Sequence, residues 1–147
     1  MVNLYVVIPG EYNKNTFALT QKGFEQANKM GRILNTFVNK GETLIITGHS
    51  ASCQQTAVLM YADLKSNCKI IPYSRQIPKE KKSLNAFIRW AVKSGEFTNI
   101  VFVTDKPNDI EFVSKFYDFD KPMEAKIIHF TYGNYTKSFT HNGIINN

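Results

Sequence analysis

The chain has 147 residues, 43% of them apolar and 20% charged, with a net charge of +6. A chain of this length buries about 68–70% of the surface its unfolded form exposes, enough for one core without cross-links, and the composition excludes a disordered or collagen-like polypeptide. The longest apolar runs, such as Ile100-Val101-Phe102-Val103, fall well short of the roughly 18 residues a membrane span needs, and Met1-Val2-Asn3-Leu4 lacks the basic segment and apolar core of a secretory signal, so the expectation is a cytoplasmic protein with no membrane contact.

Leu4 to Ile8 is the first strand signal, rich in β-branched residues and almost continuously apolar. Thr20 then offers a helix cap, and Phe24, Ala27, Met30, Leu34 and Phe37 recur on one face until Asn39-Lys40-Gly41 supplies a stop. Thr43 to Thr47 reads as a second strand, followed by a helix whose apolar stripe is Cys53, Ala57, Met60, Tyr61 and Leu64. Lys69 to Ile71 reads as a short third strand. The basic run Lys79-Glu80-Lys81-Lys82 reads as a solvated loop before a helix that starts near Ser83 and presents Leu84, Phe87, Ile88 and Ala91.

Ile100 to Val103 is the fourth strand, and Pro107 opens a helix with Ile110, Val113, Phe116 and Tyr117 as its stripe, broken by Asp118 to Pro122. Ala125 to Tyr132 alternates as a strand, and Gly133-Asn134 suggests a two-residue turn into Tyr135 to Phe139. Strands alternating with helices predict one α/β domain over residues 1–147. The expected architecture is a three-layer α/β/α sandwich whose mostly parallel sheet carries an antiparallel strand or hairpin near the C-terminus.

Cys53 and Cys68 are too few and too widely spaced for a disulfide framework or a zinc cluster. Neither a metal nor a cofactor is expected.

The segment Val6-Val7-Ile8-Pro9-Gly10-Glu11, the string Leu19-Thr20-Gln21-Lys22-Gly23 and the string Gln54-Gln55-Thr56-Ala57 follow strand, helix and helix patterns in that order. In order and spacing they resemble landmarks of the histidine phosphatase (phosphoglycerate mutase-like) superfamily. With the block Leu84 to Pro107, the small SixA-like branch is most similar, over residues 3–131. The resemblance implies a phosphate pocket at the carboxyl ends of the parallel strands, built from two histidines and two arginines. One histidine accepts the phosphoryl group while the cations neutralise its charge.

Carried over residue by residue, the first arginine falls on Ile8 and the nucleophilic histidine on Pro9, with Gly10 and Glu11 retained. The second arginine falls on Ser52 and the last histidine on Asp105. The resemblance therefore implies the scaffold without its chemistry. A carboxylate at 105 also opposes the ancestral substrate, since two like charges at about 4 Å cost roughly 1 kcal/mol in water and several times that in a partly dry pocket.

His49, placed between a strand and a helix start, is the best surviving position for a base or phosphate donor beside Ser50 or Ser52; it also reads as a plain loop histidine with serine caps. Asp105 reads as an acid–base group or as a helix cap, and Asn15 as a phosphate-holding amide or as part of a polar loop. Trp90, beside its helix stripe, is a candidate partner contact. His129, inside the late strand, and His141, in a polar tail, have no evident partners.

Three functions follow as expectations. The leading one is a catalytically inactive pseudoenzyme that binds another protein. Its bias towards Asn, Lys, Phe and Ile suggests an AT-rich genome, consistent with a phage-encoded modulator of a host process. A nucleic-acid or nucleotide binder, suggested by the positive balance and the basic-aromatic Tyr132, Tyr135, Lys137 and Phe139, is the second. A hydrolase with chemistry relocated to His49 and Asp105 is the third.

Overall fold

The computed structural model describes residues 1–38, 41–65, 67–72, 84–117, 123–133 and 135–146, apart from the side chains of Leu84, Asn85, Phe87 and Glu111. Six strands, β1 (Val2–Ile8), β2 (Glu42–Thr47), β3 (Asn67–Pro72), β4 (Asn99–Val103), β5 (Lys126–Gly133) and β6 (Ser138–Ile144), form one sheet in the order β3-β2-β4-β1-β5-β6. The first four in that order run parallel; β5 pairs antiparallel with β1, and β6 with β5.

The three apolar runs read as strands are the three inner parallel strands. β4 is buried at every position, and β1 and β2 nearly so, because helices cover both faces. The third parallel strand runs Asn67–Pro72, longer than expected; it is the edge strand of the sheet and mostly exposed, with Ile71 and Cys68 packed against the cores on the two faces. β5 alternates, with Ile128, Phe130 and Tyr132 in the core.

One face of the sheet sends Leu4, Val6, Leu44, Ile46, Ile100 and Phe102 against Ile88, Ala91 and Val92 of α3 (Leu84–Lys93) and Ile110 and Val113 near α4 (Glu111–Ser114). The other sends Tyr5, Val7, Ile45, Val101 and Val103 against Met30, Leu34 and Val38 of α1 (Gln21–Val38) and Cys53, Ala57 and Met60 of α2 (Ala51–Asp63). This is the expected α/β/α sandwich.

Thr20 caps α1 as expected, accepting from Gly23 N at 3.1 Å. Its buried stripe, however, is Gly23, Ala27, Met30, Gly31, Leu34 and Val38, whereas Phe24 and Phe37 remain partly exposed. Two glycines take places on that face because the backbone has close neighbours there: a Cβ on Gly31 would stand 3.0 Å from Met60 Cα of α2 (Ala51–Asp63), and one on Gly23 would meet the backbone of Glu11. In α2, Tyr61 is likewise exposed while Ser52 and Thr56 are buried.

The segment after Pro107 is not one amphipathic helix. It is a 3-10 turn, Pro107–Asp109, followed by the four-residue α4, and Phe116 is 51% exposed. The final hairpin also differs: β6 begins at Ser138, not Tyr135, and Lys137 closes the turn by donating its N–H to Gly133 O at 2.8 Å. His141 therefore lies in a strand, not in a polar tail. Asn39, Lys40, Lys79–Lys82, Ser83, Asp118–Pro122 and Asn134, singled out in the sequence, lie outside the described residues.

Candidate functional site

Parallel strands deliver their carboxyl ends to one edge, and ligands of open α/β sheets gather there. β1 ends in Pro9-Gly10-Glu11, β2 in Gly48-His49-Ser50 and β4 in Thr104-Asp105-Lys106. These ends are tied together, with Thr104 N–H on Val7 O and Gly48 N–H on Val103 O, each at 2.9 Å.

A cleft of about 820 Å³ opens at this edge, lined by Ile8, Pro9, Gly10, Glu11, Tyr12, Lys14, Asp105, Pro107, Asn108, Met123 and Glu124. Pro9, Gly10, Glu11 and Asp105 from the sequence reading meet there. Asn15, His49, Ser52 and Trp90 do not line it. Among its described lining residues there is neither a histidine nor an arginine, and three are carboxylates: Glu11, Asp105 and Glu124.

The acidic side is ordered. Lys22 Nζ lies 3.2 Å from Glu124 and 3.6 Å from Glu11, and these two carboxylates raise its pKa, Glu124 first. Glu11 also accepts from Thr20 Oγ1 at 2.9 Å, while Gln26 accepts from Glu11 N–H at 2.8 Å and donates to Glu124 at 3.2 Å. Lys22 belongs to the Leu-Thr-x-Lys-Gly string and was legible as a landmark, though not as a clamp. Met123 and Glu124 carry no local signal because only the strand order brings β5 beside β1.

Ser52 is fully buried, with its Oγ 3.1 Å from Ser50 Oγ. Ser50 caps α2 by accepting from Cys53 N–H at 3.3 Å, the helix-start role considered for it, whereas Ser52 lies within the first turn of the helix. His49 is exposed, and its carbonyl accepts from Gln54 at 3.0 Å. Asn15 is exposed, with its N–H on Asn13 Oδ1 at 2.8 Å, the polar-loop arrangement. Trp90 is 43% exposed, on the far side of the sheet from α1 and α2.

Cys53 lies under this edge. Burial pushes its thiol up to about 11, against lowering by a hydrogen bond from Ser50, and the Asp105 charge raises it further. A thiol so placed stays protonated near neutrality and is no nucleophile.

The remaining histidines sit in the β5–β6 hairpin. His129 stacks on Tyr5 at 4.7 Å with Nε2 2.9 Å from Asn3 Oδ1. His141 stacks on Phe116 at 4.4 Å and lies 2.6 Å from Tyr117 OH. Both have partners that sequence alone did not reveal.

Burial lowers the pKa of His129 below 6.5. The folded state therefore resists a proton that the unfolded chain accepts. Stability is full above about 6.5 and falls as pH drops from there through the folded pKa. Urea midpoints between pH 7.5 and 5 are expected to decline, with a shallower decline for His129→Gln; equal slopes would remove His129 from that dependence.

No family model matches the chain, and no curated protein matches it. Solved structures do. The protein histidine phosphatase SixA with tungstate superposes with a TM-score of 0.71 at 12% identity, covering 98% of this chain and 96% of that one. A proposed phosphohistidine phosphatase SixA from Agrobacterium tumefaciens gives 0.69 at 12% identity, covering 97% of each chain. A mycobacterial glucosyl-3-phosphoglycerate phosphatase with VO3 gives 0.66 at 10% identity, also covering 97% of each. The fold is thus that of the SixA-like and other histidine phosphatase-like proteins. Among the described residues, no helix is long and apolar enough to cross a membrane.

Proposed function

We propose that this chain is a histidine phosphatase-like protein without phosphohistidine chemistry, acting by binding, with another protein as its target. The observation that supports this most directly is the composition of the cleft: Pro9 and Asp105 take the positions that the resemblance gives to two histidines, and the described lining residues hold three carboxylates, Glu11, Asp105 and Glu124, against one ammonium group, Lys14. Proline has no nucleophilic atom, and carboxylates repel the transferring phosphate instead of stabilising its charge. Solved neighbours of this fold hold tungstate or VO3; a cleft of this composition is a poor receptor for such oxyanions. A phage-encoded modulator of a host process is the setting proposed for such a binder.

Assays on an aryl phosphate and on a phosphohistidine protein are expected to give turnover at least about a thousandfold below an active phosphatase, because the covalent route and its charge stabilisation are both missing. Robust turnover abolished by His49→Ala or Asp105→Asn would overturn the proposal in favour of relocated hydrolase chemistry. For the binding half, capture of a defined protein from native lysate is expected to be lost on Asp105→Lys. Capture unaffected by that change would place the interface elsewhere.

A further inference from the structure

The amino-terminal edge of the sheet has its own cavity, of about 420 Å³, whose lining includes Val2, Lys93, Phe97, Thr98, Tyr132 and Lys137. It lies at the opposite end of β1 from the cleft, about 20 Å away for a strand of this length. Val2, at the start of β1, pairs with Tyr132 of β5, α3 ends at Lys93, and the turn before β6 brings Lys137.

The sign of this cavity is unambiguous, with two ammonium groups and no carboxylate among the described lining residues. Lys93 has a reason of its own to be there, since a cation is favourable in the last turn of a helix. Lys137 has no such reason. It holds a left-handed conformation, φ 53°, at a turn where glycine or asparagine is the easier choice.

Tyr132 is the independent observation. Its side chain is 2% exposed and its hydroxyl, though buried, finds no hydrogen-bond partner among the described residues. A buried hydroxyl without a partner carries an uncompensated desolvation penalty. An oxygen-rich anion would relieve it by accepting the O–H while its charge meets Lys93 and Lys137. Both lysines are exposed on long stems that can shift to admit such a group.

We propose that this cavity is a binding site for a phosphate-bearing anion, separate from the cleft and independent of the function assigned to it. A doubly charged phosphoryl group matches two ammonium donors and one hydroxyl donor better than a singly charged carboxylate. The source is either free phosphate or a small phosphate ester.

Calorimetric titration of the full chain at low salt, with inorganic phosphate in one arm and AMP in the other, tests the site. Saturable one-site binding is expected, weakened about tenfold by Lys137→Gln and by Tyr132→Phe, the loss of one charge-assisted hydrogen bond. Tighter binding of AMP identifies an ester as the source; equal binding identifies the free anion. Tyr132→Phe is also expected to leave the thermal midpoint unchanged or raise it, because it removes an unpaired hydroxyl. Absence of saturable binding, variants that bind as the parent does, or a lower midpoint for Tyr132→Phe would each overturn the proposal.

Discussion

Gly23→Ala is expected to destabilise the protein by about 3 kcal/mol or more, a severe case of overpacking. A Cβ on Gly23 would stand 2.0 Å from the carbonyl oxygen of Glu11 and 3.1 Å from its carbonyl carbon. Both are backbone atoms, so no side chain can swing aside. The Glu11 carbonyl is also engaged, accepting from Thr20 N–H at 3.0 Å. Relief therefore requires moving the end of β1 away from α1, which displaces one wall of the cleft. Urea midpoints measure the loss. Gly95→Ala is the control: nothing lies within 4 Å of its added methyl group, but its φ of +72° is unfavourable for alanine, so a cost of about 1–2 kcal/mol is expected. Equal losses in the two variants would remove the close-contact explanation.

Phe130→Ala is expected to cost about 3–5 kcal/mol, the range for emptying a buried phenylalanine site. Its ring is fully buried, 5.3 Å from Phe112 at 85° and 5.4 Å from His141. These neighbours belong to α4 and β6, so the cavity would loosen the element after Asp105 and the outer hairpin together. A midpoint drop of about 10 °C or more by calorimetry is the corresponding readout for a chain of this size. Tyr135→Ala, at a fully exposed position, is expected to stay within about 0.5 kcal/mol. A small shift for Phe130→Ala would mean that the aromatic cluster around β5 collapses readily onto the vacated space.

The parts of this fold that could be read in sequence are those whose pattern is dictated by their immediate surroundings. Leu4 to Ile8, Thr43 to Thr47 and Ile100 to Val103 are apolar on both faces because helices cover both faces. Thr20 and Ser50 are legible as caps because capping is a local hydrogen bond. The short α4, the long β3 and β6 were not legible in their bounds. β6 carries Ser138, Thr140 and Asn142, and its strand character comes from pairing with β5 instead of from a pattern of its own. Phe24, Phe37 and Tyr61 were misplaced because hydrophobicity predicts a face, whereas close backbone approaches, of Gly23 to Glu11 and of Gly31 to Met60 in α2, turn that face away from the two phenylalanines.

By itself the chain determines that Ile8, Pro9, Ser52 and Asp105 are neither imidazoles nor guanidiniums, that three strands suit a covered parallel sheet, and that two cysteines stand far apart. Residue identity and short-range periodicity are written along the polymer and need no folding to be known. Only tertiary structure decided that Glu124 shares the cleft with Glu11 and Asp105, that Lys22 bridges two of those carboxylates, and that Lys93, Tyr132 and Lys137 meet at the opposite edge. Strand order and direction set those placements, because β5 runs antiparallel beside β1 and so carries one end of itself to each edge of the sheet.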